Sequence, residues 1–215
     1  LRREREFSAD ASHELRNPLA VIQNAAEIIE DDAATPERSR RAARRIHGAA
    51  LRMSETVSTF LLMVREPEAD PDHDPVAVAE CVEAALQQQA GPAHAARLQV
   101  RWQCEADPQV RAPRAAVASI VGNLIRNAVE HSGGRQVLVR LEAGRFVVAD
   151  DGVGVSEQEL SRLTEHGWRG RTAANGYGIG LSLVQRLCER FGWELVLTSR
   201  PGAGTRAEWR FTPGV

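Results

Sequence analysis

Three short stretches of this 215-residue chain hold residues whose types and spacing suit chemistry. The first is Ser12-His13-Glu14-Leu15-Arg16-Asn17-Pro18-Leu19. Apolar positions Ala11, Leu15, Pro18, Ile22, Ala25 and Ile29 step by four and three, a heptad seam. His13 lies two residues from Ala11 and from Leu15, so at about 100° per residue it points about 200° away from the seam, into solvent. Glu14 lies beside it and Asn17 one turn on. Three readings fit such a histidine. It is a solvated surface residue, half of a zinc site, or a nucleophile whose ring proton passes to Glu14. The zinc reading lacks its second ligand, because the HExxH motif needs His at the position of Asn17. Pro18 interrupts the helix beside His13, removing one amide and crowding the Glu14 carbonyl; a bend at a transfer site and an inert kink both explain it.

The second stretch is Asn123-Leu124-Ile125-Arg126-Asn127-Ala128-Val129-Glu130-His131. Asn123 and Asn127 share one face of an apolar helix, and buried amides need partners. Amide oxygens are hard ligands suited to Mg²⁺ alongside phosphates, and an amide pair that caps neighbouring loops fits equally well. The third stretch comes in two pieces. Asp150-Asp151-Gly152-Val153-Gly154-Val155 follows an apolar strand, with Asp150 placed to accept from an adenine amino group and Gly152 and Gly154 letting backbone approach the base. Gly176-Tyr177-Gly178-Ile179-Gly180-Leu181 opens a helix whose N-terminal amides attract phosphate. Arg169 and Arg171 precede it in a loop and reach toward phosphate or into solvent. A dinucleotide fingerprint is excluded because no strand leads into these glycines, and a P-loop because the chain has no lysine.

The elements that must position these residues divide into two units. Residues 66–75 hold three prolines and five acidic residues, a density that no helix or central strand tolerates, and are expected to be a linker. Residues 1–65 form a helical hairpin. Its second run, Ile46, Ala50, Met53, Val57, Phe60 and Val64, repeats the seam, and its turn lies at 31–36, where Thr35 suits a cap and Pro36 a first helical turn. One hairpin leaves its seam exposed, and pairing two into a four-helix bundle predicts a homodimer. In residues 76–215, helices are expected at 76–89, 114–131, 156–165 and 180–191. Strands are expected at 98–105, 136–141, 145–149, 194–199 and 205–211, with a glycine-rich loop at 167–178. Mixing without βαβ regularity makes the class α+β, with helices packed on one face of a sheet.

Composition narrows the function. A net charge of −2 gives no basic field for nucleic acid. Cys81, Cys104 and Cys188 have no metal-like spacing and read as free thiols in a reducing compartment. No apolar run is long enough to span a membrane, and the start at Leu1, in mid-pattern for a helix, reads as a piece of something longer.

Read in order, these stretches resemble the H, N, G1 and G2 boxes of two-component sensor histidine kinases, and Ser199-Arg200-Pro201-Gly202-Ala203-Gly204-Thr205 resembles their C-terminal hairpin. The resemblance covers nearly the whole chain. It implies a dimerising phospho-acceptor hairpin followed by a GHKL (Bergerat-type) α/β sandwich that binds ATP. His13 would be the phospho-acceptor and Glu14 its base. Asn127, supported by Asn123, would bind Mg²⁺, and Asp150 would recognise adenine. Gly152, Gly154, Gly176, Tyr177, Gly178, Gly180 and Leu181 would shape pocket and lid, with Arg169 and Arg171 toward the phosphates. Asn17 matches the position that orients a water for dephosphorylating the partner, a response-regulator receiver domain. The implied setting is the cytoplasmic side of an inner-membrane protein, contacting membrane only through an N-terminal sensor region absent here. Two positions depart from the pattern. Glu130 replaces a basic residue, with Arg126 or the lid arginines as substitutes, and Thr164 and Gly167 stand where phenylalanines are common, with Trp168 nearby. An ATPase clamp and an ATP-binding pseudokinase scaffold are the rival readings.

Overall fold

The computed structural model describes residues 18–32, 34–65, 74–163 and 180–214. The chain divides between Pro67 and Glu68 into two units, each with its own contacts. This division falls inside the proline-rich segment expected to be a linker.

In the first unit, helix α1 runs over 18–31 and α2 over Glu37–Arg65. The turn is held by side chains. Asp32 accepts from the Ala34 amide at 2.8 Å, and the Arg40 guanidinium donates to the Asp32 and Thr35 carbonyls, both at 3.2 Å. Thr35 does not cap α2; its hydroxyl donates to Asp32 at 3.4 Å. The Pro36 carbonyl instead accepts the first helical bond, from Arg40, so proline stands one residue before the helix rather than in its first turn. The apolar pattern also resolves into two faces. Leu19 and Ala26 of α1 and Ala43 and Ala50 of α2 are buried. Most of the described seam positions expected from the heptad face outward: Ile22, Ile29, Ile46 and Met53 are 43%, 42%, 49% and 58% exposed. Small alanines let the two helices of one hairpin approach closely, and the larger side chains beside them stay uncovered within it.

The second unit is a five-stranded sheet with helices on one face. Its strands are β2 (Gln99–Cys104), β4 (Gln136–Glu142), β5 (Arg145–Asp150), β6 (Glu194–Ser199) and β7 (Thr205–Arg210), in the order β2-β4-β5-β7-β6. Strands β2 and β4 are parallel, and every other pair is antiparallel. The helices are α3 (Val78–Ala95), α4 (Arg114–His131) and α6 (Gly180–Phe191), with α4 packed against both others. Alternation in β4 sends Val137, Val139 and Leu141 into the core, and their cross-strand partners Val148 and Phe146 join them from β5. Trp209 is fully buried opposite Phe146 and anchors a chain of rings: Trp193 lies 5.0 Å away, Phe211 4.4 Å away, and Phe191 4.9 Å beyond Trp193.

Several expected bounds move. Pro75 belongs to β1 (Pro75–Ala77), which pairs with β3 (Gln109–Arg111) in a separate ribbon, so the linker expected to end at 75 ends earlier. Proline at the first position of an edge strand loses no ladder bond. The helix expected at 76–89 starts at Val78 and runs through Gly91 and Pro92 to Ala95. Of the described part of the helix expected at 156–165, residues 156–163, α5 (Glu157–Leu160) is α-helical, capped by reciprocal bonds between Ser156 and Glu159 and followed by turns at 161–163. No helix among the described residues is long and apolar enough to cross a membrane.

Candidate functional site: an amide-lined helix face and a braced carboxylate

The amide pair is built from the middle of α4. Asn123 is 3% exposed, and its Nδ2 donates to the Ser119 carbonyl at 2.7 Å. That bond orients the amide, leaving Oδ1 to face outward from the helix, where it accepts from the Arg126 guanidinium. Helix α6 begins against this face. A Cβ placed on Gly180 would lie 2.7 Å from Asn123 Oδ1 and 3.7 Å from Asn127 Oδ1. A residue without a side chain is therefore what lets the first turn of α6 approach both amides. Leu181, the next residue, is partly buried, and Ser182, Leu183 and Val184 enter the core. The Asn123 oxygen is engaged by Arg126, and Asn127, partly exposed on the same face, offers a hard oxygen that suits a divalent cation carried with phosphate. These residues fit Mg²⁺.

The second part of the site lies where β5 ends. Asp150 is partly buried, and its Oδ1 accepts from the Gly152 amide at 2.9 Å. Burial pushes its carboxyl above the ordinary aspartate value, against the pull of hydrogen bonds from the Gly152 and Thr205 amides. Asp151 behaves in the opposite way. Its Oδ1 accepts from the amides of Gln136 and Arg135, at 2.8 and 2.7 Å, and these bonds hold its carboxyl below the ordinary value.

The loop after these carboxylates is gripped by two other turns. The Ser132 carbonyl accepts from the Val153 amide at 2.8 Å, and a Cβ on Gly152 would lie 1.8 Å from that same oxygen. Gly154 has φ +59° and its Cβ would strike the Arg200 carbonyl. Gly204, at φ +78°, presses on the Asp150 carbonyl, where a Cβ would lie at 1.9 Å. Ser199 Oγ accepts from the Val155 amide at 2.9 Å and donates to the Gly204 carbonyl at 2.8 Å. The β6–β7 turn is thus the floor under Asp150 and its glycines.

Among the residues expected from sequence, Asn123, Asn127 and Gly180 come together on one face, and Asp150, Gly152 and Gly154 in one loop. His13, Glu14, Asn17, Arg169, Arg171, Gly176, Tyr177 and Gly178 lie outside the described residues. Sequence reasoning missed Ser119, which orients Asn123, and the bracing roles of Ser132, Asp151, Gly204 and Thr205. Gly204-Thr205 carried a signal in the turn-rich run at 199–205, but nothing in that run pointed to Asp150.

Two family models match the chain. Residues 3–68 match the His Kinase A (phospho-acceptor) domain, and residues 113–214 match the histidine kinase-, DNA gyrase B-, and HSP90-like ATPase. The sensor protein QseC of Escherichia coli is 31% identical over 212 residues, covering 96% of this chain and 47% of that protein. The phosphate regulon sensor protein PhoR of Pseudomonas aeruginosa is 31% identical over 223 residues, covering 97% of the chain and 50% of that protein. The chain thus spans about half the length of the curated relatives it matches. Among solved structures, full-length ShkA in complex with AMPPNP aligns with a TM-score of 0.67 at 24% identity, over 98% of this chain and 46% of that one. The cytoplasmic segment of the histidine kinase QseC aligns with a TM-score of 0.57 at 19% identity, over 78% and 94%. These two likenesses bear on the fold.

Proposed function

We propose that this chain, which belongs to the two-component sensor histidine kinases and carries their phospho-acceptor and ATP-binding domains, moves the γ-phosphate of ATP onto its own His13. The observation that carries the reading is the convergence of Asn123, Asn127 and Gly180 at the start of α6. Adenine is read by Asp150, whose braced carboxylate accepts from the exocyclic amino group. The polyphosphate lies toward the amide face, where backbone amides at the α6 N-terminus and donors of the preceding segment, Arg169, Arg171 and Gly176–Gly178, meet its charge. Asn127 would hold Mg²⁺, which would supply positive charge against the phosphate oxygens.

The transfer is a displacement at phosphorus. A ring nitrogen of neutral His13 supplies the electron pair for the new N–P bond, the bond to the bridging β–γ oxygen breaks, and ADP leaves with that oxygen. The ring proton passes to Glu14. A response-regulator aspartate then accepts the phosphoryl group, and Asn17 orients a water for the reverse task of removing it from that partner. The exposed stripe Ile22, Ile29, Ile46 and Met53 supports a homodimer of hairpins, since pairing removes this apolar surface from water. The chain acts on the cytoplasmic side, as part of a longer sensor. A clamp reading leaves the phospho-acceptor match unexplained, and a pseudokinase scaffold gives no reason for the retained Asn127, Asp150 and glycines.

Labelled-phosphate transfer tests the reading. With γ-labelled ATP and Mg²⁺ the chain should acquire acid-labile, base-stable label, and His13→Gln should abolish it while retaining ATP binding. Acid-labile label persisting in His13→Gln would sink the assignment. For the partner step, Asn17→Ala should keep autophosphorylation and slow loss of phosphate from the receiver domain; equal rates would remove Asn17 from that role.

A further inference from the structure

Resting on the nucleotide reading above, we propose that Asp151 is a positioning residue for adenine recognition, fixing the side of the chain from which Asp150 meets the base. Strand β5 ends on Asp150, opposite Val137, and the ladder continues one step further, where the Asp151 amide donates to the Gln136 carbonyl at 3.3 Å. Asp151 Oδ1 closes the same step from its side chain, accepting from the Arg135 and Gln136 amides at 2.7 and 2.8 Å. Neighbouring side chains of an extended chain point to opposite sides. Clasping Asp151 to the backbone at 135–136 therefore commits Asp150 to the other side. Gly134 gives the clasp its room, since a Cβ there would lie 2.3 Å from Asp151 Oδ1 and 2.8 Å from the Gly152 nitrogen.

Two observations set this role apart from loop stability alone. Asp151 is exposed and so are both of its side-chain bonds, so water replaces the carboxylate when it is removed and folding loses little. Asp150 is partly buried, and its orientation depends on the backbone that carries it. The charges point the same way. Among the described side chains, Asp151 is the charged group that acts on Asp150, and Arg135 the one that acts on Asp151. A negative charge beside Asp150 favours its protonated form, which works against its use as an acceptor. An amide side chain at 151 would offer an oxygen without that conflict. What the carboxylate adds is a stronger, charge-assisted grip on two amides at once.

The test compares ATP with purine riboside triphosphate, which lacks only the adenine amino group, by calorimetry in Mg²⁺. The parent should prefer ATP by about tenfold, the scale of one charge-assisted hydrogen bond. Asp151→Ala should cut that preference by about threefold or more while melting close to the parent, since a hydrogen bond weakens steeply once misaligned. Asp151→Ser, whose hydroxyl falls short of both amides, repeats the comparison should Asp151→Ala not fold. Asp151→Asn should keep most of the preference, and with the neighbouring charge gone its ATP affinity should persist to lower pH than in the parent. In an Asp150→Asn background, Asp151→Ala should change ATP affinity less than it does in the parent, because it acts through that acid. An unchanged preference for ATP in Asp151→Ala overturns the proposal, as does an equal fall for both nucleotides, which marks a general loosening of the pocket. Equal losses in the two backgrounds, or an acid limb unmoved in Asp151→Asn, overturn it too. A parent that binds the two nucleotides equally well, or neither, instead overturns the adenine reading on which it rests.

Discussion

Replacing Asp150 by Asn separates nucleotide recognition from folding. The substitution keeps size and shape and removes one charge from a partly buried site. Burial raises the Asp150 carboxyl above its ordinary value, so the folded protein takes up a proton there more readily than the unfolded chain. For an acid this sign means that stability falls as pH rises through the ordinary value toward the raised one, and the deficit persists at neutral pH. Asp150→Asn removes that deficit, while the Asn oxygen still accepts from the Gly152 amide, which lies 2.9 Å from the carboxylate in the parent. Thermal unfolding at pH 7 should therefore show an unchanged or higher midpoint.

Nucleotide binding should move the other way. An adenine amino group gives a carboxylate a charge-assisted hydrogen bond worth about 1.5–3 kcal/mol, against about 0.5–1.5 kcal/mol for a neutral one, so exchanging it for an amide weakens ATP by about 5- to 12-fold. Calorimetry at constant ionic strength reads this directly. In the parent, ATP affinity should fall on acidification as Asp150 takes its proton, starting at higher pH than for an ordinary aspartate, and the variant should lack that component. If Asp150→Asn binds ATP as the parent does, or loses binding only in step with its folded fraction, the carboxylate is not an adenine acceptor.

Other expectations rest on separate features. Gly180→Ala should lower the unfolding midpoint and weaken ATP, because its Cβ would press to 2.7 Å on Asn123 Oδ1, part of a buried amide that the Ser119 bond holds in place. Gly204→Ala should unfold the second unit under mild conditions, because φ +78° and a 1.9 Å approach to the Asp150 carbonyl leave no relaxed conformation; a parent-like melting curve would refute the floor described for the site. Glu208 is 5% exposed; burial pushes its carboxyl up, but hydrogen bonds from Arg210 and Arg206 outweigh that and hold it below the ordinary value. Its stabilisation is thus present above the ordinary glutamate value and lost as pH falls through the lowered one, and urea melts of Glu208→Gln should show a shallower acid dependence. Among the thiols, exposed Cys104 should react promptly with a disulfide reagent at pH 8, whereas buried Cys188, pushed up to about 12, and buried Cys81 should wait for denaturant.

What was legible in the sequence depended on how local its cause was. Helices Arg114–His131 and Gly180–Phe191 match their expected bounds because apolar periodicity runs the full length of each and Pro113 or a glycine stands at the end. The hairpin of β4 and β5 was equally plain, with an alternating strand before Ala143-Gly144 and an apolar run after it. Ribbon β1–β3 was not, because three-residue strands are too short to show a period. In the first unit the heptad marked apolar positions but not their partners. Leu19 and Ala26 lie beside Ile22 and Ile29 around the same helix, and only the packing of α1 on α2 tells which set closes the hairpin and which remains exposed.

The adjacent carboxylates Asp150 and Asp151 carry the same lesson into the site. As neighbours of one type they are indistinguishable in sequence, yet their titrations are displaced in opposite directions. Asp151 spends its Oδ1 on two amides at the start of β4 and so fixes the loop to the sheet. Asp150, on the other side of the strand, is partly buried, and burial outweighs the two amides that reach it. A carboxylate that is held in place but incompletely satisfied has most to gain from an added donor, which is what an adenine amino group supplies. The donors that already reach it come from Gly152, two residues away, and from Thr205, across the sheet. The motif supplies the acid, and the turn at 199–205, distant in sequence, holds it in place through Gly204 and Thr205.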